Sequence, residues 1–281
     1  MNLPNLFGGI VALISALTWG SGDFAGGLAS RKQNQVQVLV LATFSGAISL
    51  GIAMFVRREP WPTTDSMLWS VTAGISGVIG MACLYRGLVV GQAALVAPTA
   101  TIVGVGFPVI IGTLTRGAPG VEKIIGMAVG MAGIWLTTRG RQAGQSTRGL
   151  GLAILAGLGF GGFFLCIVRV GPESIFAPLL IAKLSAFILS TLILVFAFRR
   201  TGLPPLRSDG MALLAGILDA AGNLFYLLAA RLTRPELAAV IASMAPAMTV
   251  ILAGLVLHQK ISSHQKLGVG LCLLAIALIV I

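Results

Sequence analysis

Two aspartates stand inside apolar runs of this sequence, and an ionisable group in such a run is costly unless something uses it. Asp219 falls near the middle of its run and shares one helical face with Asn223 and Tyr226, at i, i+4 and i+7. Asp23 falls late in the first run, roughly 10 Å beyond its centre at a helical rise of ~1.5 Å per residue. Trp19 lies one turn before it, and Ser15 continues that face. Polar stripes of this kind cannot face lipid, so they are expected to face a bundle interior or an aqueous cavity. A carboxylate there can exchange a proton in competition with a substrate, or neutralise a cationic or amino group. A facilitative mechanism without a coupling ion is equally compatible. The competing reading for Asp219 is a structural tie to Lys183, the one lysine away from the ends of a run, and for Asp23 a helix-end position near Arg31.

Gly20-Ser21-Gly22-Asp23 also spells GxGD, a pattern of intramembrane aspartyl proteases. The alternative function is therefore proteolysis, with Asp23 and Asp219 as a general acid/base pair. Four positions are weak evidence in a chain with 37 glycines, and the chain holds no Tyr-Asp dipeptide for the other half of such a site. Cys83, Cys166 and Cys272 lie in apolar runs without a CxxC spacing, so no metal site, disulfide framework or cofactor is expected.

The elements that must position these residues are membrane helices. Of the 281 residues 57 % are hydrophobic and 10 % charged, and the mean hydropathy is +0.99. A soluble domain carries roughly 25 % charged residues, so a water-soluble globule is excluded, and so apolar a chain cannot remain disordered. Ten runs are long enough to span a bilayer, at 5–27, 36–56, 67–89, 92–115, 121–138, 149–170, 174–198, 210–231, 235–257 and 264–281. Helix is the structure that lets each satisfy its own backbone in lipid. The net charge of +11 sits in short loops, which points to lipid headgroups as the partner and not to nucleic acid. A monomer is expected. Pro98, Pro108 and Pro246 are predicted to interrupt spans 4 and 9, as kinks first and gating hinges second.

The chain divides near its midpoint, at the polar stretch 137–148, into 1–140 and 141–281. Residues 66–139 align without a gap to 208–281, with 12 of 74 positions identical, among them Gly74/Gly216, Gly80/Gly222, Gly112/Gly254 and Gly126/Gly268. Span 1 matches span 6 at an offset of 141, which sets Trp19 against Phe160 as two aromatic walls of a shared cavity. Tyr85 aligns one residue away from Tyr226 and is a weaker member of the same set. Each half has five spans. Five is odd, so the second half must lie inverted relative to the first, the arrangement of alternating-access transporters with a midplane site.

Trp19-Gly20-Ser21, Leu84-Tyr85-Arg86-Gly87, Ala93–Pro98, Phe225-Tyr226, Pro235–Ala239, Pro246 and Gly268 together resemble the drug/metabolite transporter superfamily, specifically its ten-helix permeases with two EamA-type repeats. The resemblance covers essentially the whole chain. It implies export or exchange of a small organic metabolite (an amino acid, an amine or an amphipathic compound) across a bacterial inner membrane without ATP hydrolysis. The Gly-Glu pair that often ends spans 4 and 9 in that family reads Gly117-Ala118 and Gln259-Lys260 here. Counting Lys and Arg in the loops gives seven on the N-terminal side and eleven on the other. The positive-inside rule then leans towards termini outside, whereas the resemblance implies cytoplasmic termini.

Overall fold

The computed structural model describes residues 3–90, 93–138, 148–197, 202, 210–258 and 261–280. Every element is a helix among the described residues: α1 (Leu3–Ala29), α2 (Gln35–Arg57), α3 (Thr64–Val90), α4 (Ala93–Arg116), α5 (Val121–Thr138), α6 (Leu150–Ile167), α7 (Phe176–Ala197), α8 (Gly210–Leu232), α9 (Pro235–Ala242), α10 (Ala245–Val256) and α11 (Ser263–Val280). Helices α9 and α10 are the two pieces of one span. Counted so, the described residues form ten helical spans. Eight spans are long and apolar enough to cross a membrane by length and composition, α11 is a shorter apolar helix, and α5 completes the set.

Local chemistry sets the helix ends. Asn34 caps α2 by accepting the Val36 N–H at 2.8 Å. Arg58 closes the same helix in the left-handed region at φ 51°. The start of α7 is capped from elsewhere: the Glu59 carboxylate, in the α2–α3 loop, accepts the N–H groups of Ile175, Phe176 and Ala177 at 2.8–3.2 Å. An anion at a helix N-terminus satisfies orphan donors and meets the positive end of the dipole.

Packing obeys an exchange rule. Helix α1 packs on α8 and on α9–α10, while α6, its counterpart, packs on α3 and α4. Helix α2 packs on α7 and α8, and α7 on α2 and α3; α5 pairs with α11. Swapping the halves reproduces each contact. With five spans in each, the two repeats are inverted, related by an axis in the membrane plane. Close approach depends on small residues at equivalent places. A Cβ at Gly80 would lie 2.9 Å from the Phe160 ring, and one at Gly222 would overlap the Trp19 indole, 2.8 Å from its Cγ. A side chain at either position would force a neighbour to move. Large apolar side chains instead point outward, as with Ile48, Ile52 and Phe55 on α2 and Leu184, Ile188 and Leu192 on α7. Exposed faces of this extent belong against lipid.

The three prolines sit in different settings. Helix α4 runs unbroken through Pro98 and Pro108, both buried within it. The span that breaks is the ninth, at Ser243-Met244, and Pro246 occupies the first turn of α10, where a missing N–H costs nothing.

Candidate functional site

A cavity of about 320 Å³ lies between the two repeats, and α1–α4 and α6–α10 all contribute to it. Its polar end is an ion pair: Lys183 on α7 donates to the Asp219 carboxylate on α8. Three further polar groups hold this part of α8 in place. Trp19 Nε1 donates to the Asp219 carbonyl at 3.2 Å, Asn223 Nδ2 donates to the same carbonyl at 2.8 Å, and Ser15 Oγ donates to the Gly222 carbonyl at 2.8 Å. Bonds from α1 side chains to α8 carbonyls replace packing energy that lipid does not supply. The cavity walls carry Trp19 from one repeat and Phe160 from the other, with Phe163, Phe164, Met81 and Leu179 between them. Thr43, Thr101 and Ser243 supply hydroxyls.

Asp23 also lines the cavity, four residues from Trp19, and is exposed within it. Among the described residues no cation lies within ion-pairing distance of Asp23; Arg31 does not reach it. Asp219 is paired with a lysine, and no hydrogen bond joins it to Asp23 among the described residues, so the proton-sharing dyad of the protease alternative finds no support here.

The sequence-predicted set is thus mostly assembled, with two departures. Trp19, Asp23, Phe160, Asp219, Asn223 and Pro246 all line one space. Tyr226 does not. It is 1 % exposed, stacks behind Trp19 with ring centroids 6.0 Å apart, packs on Phe164 at 4.7 Å, and donates from Oη to the Phe164 carbonyl at 3.4 Å. Tyr85 belongs to α3, and its side chain lies outside the described residues. Lys183 was legible only as a tie for Asp219, yet it faces the cavity. Ser243 and Thr101 carried a signal that composition hides: they are aligned positions of the two repeats, and both reach the cavity.

The cavity extends from the bundle centre towards the face at which α1 ends, through Asp23, Leu39 and Leu84. The opposite face, where α1 begins, is tied shut. Trp19, Phe164 and Tyr226 form an aromatic plug, with Trp19 and Phe164 centroids 5.8 Å apart. Beyond it a pocket of about 30 Å³ ends at Glu236. Glu236 is 1 % exposed and bound by Arg234 at 2.5 Å and Arg116 at 3.4 Å, and Arg234 also donates to the Gly117 carbonyl at 2.6 Å. Arg231 donates to the carbonyls of Gly171 and Ser174 on the same face.

The EamA-like transporter family model matches residues 6–139 and again 147–281, one match for each repeat. No curated protein matches. A solved structure, titled only as a crystal structure of a protein, superposes with a TM-score of 0.74 at 19 % identity, covering 96 % of this chain and 95 % of that one. That likeness concerns the fold alone. Two consecutive family matches, on halves that pack as an inverted pair around a common cavity, place the chain in a family of membrane transporters of small molecules rather than of enzymes: it belongs to the EamA-like transporter family.

Proposed function

We propose that this protein is a secondary transporter that exports or exchanges a small organic metabolite by alternating access through the cavity between its repeats. The observation that carries the reading is the cavity itself: about 320 Å³, aromatic on both sides, polar at the Asp219–Lys183 pair, and shut at one face by the plug of Trp19, Phe164 and Tyr226. A volume of this order accepts a small molecule and no more. An aromatic or aliphatic part of the substrate packs between Trp19 and Phe160, while its amino or cationic group meets Asp219 or Asp23. A polar group of opposite sign can meet Lys183. An amino acid, an amine or an amphipathic compound meets these demands. Two acids in one cavity, one of them without a counter-ion among the described residues, favour proton coupling over simple facilitation. The protein acts as a monomer in a bacterial inner membrane, with its termini cytoplasmic.

Uptake and counterflow into proteoliposomes, with a panel of metabolites and with or without a pH gradient, test this directly. Flux that saturates, and that falls in Asp219→Asn and Asp23→Asn, supports the reading. If both variants transport like the unaltered protein, the roles given to the two acids are wrong. An N-terminal reporter fusion tests the orientation, and activity on the far side of the membrane would reverse it.

A further inference from the structure

Resting on the transporter reading, we propose that the charge of Asp23 holds the cavity's mouth open, and that the mouth closes only when a proton or a substrate cation removes that charge.

The closed face shows what closure looks like in this fold. There Phe164 of α6 is gripped between Trp19 of α1 and Tyr226 of α8, with centroids 5.8 and 4.7 Å away. Phe164 borders both the large cavity and the small pocket beyond, so this cluster is the partition. The inverted repeats supply the counterpart at the other face. Trp19 corresponds to Phe160 and Phe164 to Asp23 at an offset of 141, and Tyr226 corresponds to Leu84 at 142. The register is fixed by packing, because Trp19 lies on Gly222 as Phe160 lies on Gly80. When the halves exchange conformations, the mouth must be stopped by Phe160, Leu84 and Asp23, all three of which now line the open cavity.

The exchange therefore carries a carboxylate into the place a phenylalanine fills on the closed side. Bringing that charge against an aromatic ring and a leucine, away from water, is opposed by desolvation. Lys183 is the one cation among the residues that line the cavity. Helix α2 presents Leu39 and Thr43 to the cavity, α3 presents Met81 and Leu84, and α6 presents Phe160 and Phe163, none of them charged. Helix α7 presents Lys183, already bound by Asp219 of α8, and Asp219 itself repels a second anion. Only loss of the Asp23 charge makes the symmetric closure available.

A second asymmetry agrees. The Arg116–Glu236–Arg234 cluster that ties the closed face corresponds, at an offset of 142, to His258, Ala94 and Gln92. No acid occupies the aligned positions, so that ionic tie has no counterpart in the other repeat.

The test reads conformation and needs no substrate. Spin labels at Arg31→Cys and Arg148→Cys flank the mouth on the ends of α1 and α6, in a background with Cys83, Cys166 and Cys272 replaced by alanine. Pulsed dipolar distances are recorded in lipid nanodiscs in acid and in alkaline buffer. The main distance should shorten in acid with Asp23 present, be short in both buffers for Asp23→Asn and Asp23→Phe, and regain its acid dependence in Asp23→Glu. A distance that ignores acid in the unaltered protein, or an acid response that survives in Asp23→Asn, overturns the proposal. Size-exclusion and melting profiles of each labelled variant establish that it is folded, and Asp23→Glu serves as the conservative check. The transport reading fails separately, if the distances move as stated while no metabolite crosses a proteoliposome.

Discussion

The Trp19 indole lies across the backbone of Gly222, and its ring nitrogen donates to the carbonyl of Asp219 three residues earlier. One aromatic residue thus seats α1 on α8 and holds the turn that carries the cavity's acid. Gly222→Ala sets a methyl group inside the ring's volume. It should destabilise the protein by about 1–3 kcal/mol, the usual cost of overpacking, and shift the emission of Trp19. Melting in detergent and tryptophan fluorescence check both. Gly27, beside which a Cβ would meet open space, is the matched control, and Gly27→Ala should leave melting unchanged.

Lys183 and Asp219 form an ion pair in which the lysine side chain is 12 % exposed and the aspartate 43 %. Removing one partner leaves a charge in a low-dielectric wall. Because Asp219 is partly wetted by the cavity, the cost of Lys183→Met should be about 1–3 kcal/mol, below the ~3–5 kcal/mol of a fully buried pair. Asp219→Leu combined with Lys183→Met should recover most of that loss, since two apolar groups need no partners. Transport should not recover in the double variant. Melting temperatures of the two single variants and the pair, with flux measured alongside, separate a structural tie from a substrate contact. If the double variant transports normally, the pair plays no part in binding.

Much of this arrangement is written in the spacing of residues. Hydrophobic length locates the spans, and an odd number of spans in each repeat compels inversion. The offset that pairs Trp19 with Phe160 then names two residues that face each other across the cavity. Helical periodicity alone cannot give depth. Tyr226 shares a stripe with Asp219, but seven residues of helix carry it roughly 10 Å further along the axis, into the plug and out of the cavity. Charge is equally ambiguous in one dimension. Lys183 reads as a structural tie or as a site residue, and it is both, because the pair lies on the cavity wall. The break at Ser243-Met244 escapes notice because Pro246 marks the start of the second piece and not the site of a kink. Pro98 and Pro108 look the same in sequence and leave α4 whole, its packing against α6 supporting the turns they weaken.

Glu59 accepts three successive N–H groups at the start of α7, from a loop over a hundred residues away in the chain. Glu59→Ala should cost about 1–2 kcal/mol, the value of a strong N-cap. Hydrogen exchange should quicken at Ile175, Phe176 and Ala177 before it quickens elsewhere in α7. Glu59→Gln should recover part of the loss, since its carbonyl oxygen still accepts but carries no charge. Exchange followed by mass spectrometry resolves these amides, and equal protection in all three proteins would refute the cap.

Glu236 is where the closed face should prove most sensitive. Its carboxylate is 1 % exposed and held by two guanidinium groups, one partly buried at 2.5 Å and one half-exposed at 3.4 Å. Glu236→Gln leaves both arginines without their anion and should destabilise the closed face by about 3–5 kcal/mol, as expected when one member of a buried ionic cluster is lost. The two arginines should not be equal. Arg116→Ala removes the longer, wetter contact and should cost about 0–1 kcal/mol. Arg234→Ala removes the shorter contact together with the bond to the Gly117 carbonyl, and should cost several times more. Cysteine accessibility at Ile111, which borders the small pocket and is partly buried, should rise in Arg234→Ala and in Glu236→Gln and stay low in Arg116→Ala. Equal melting and equal labelling in the two arginine variants would show that the face is closed by its aromatic plug without help from these charges.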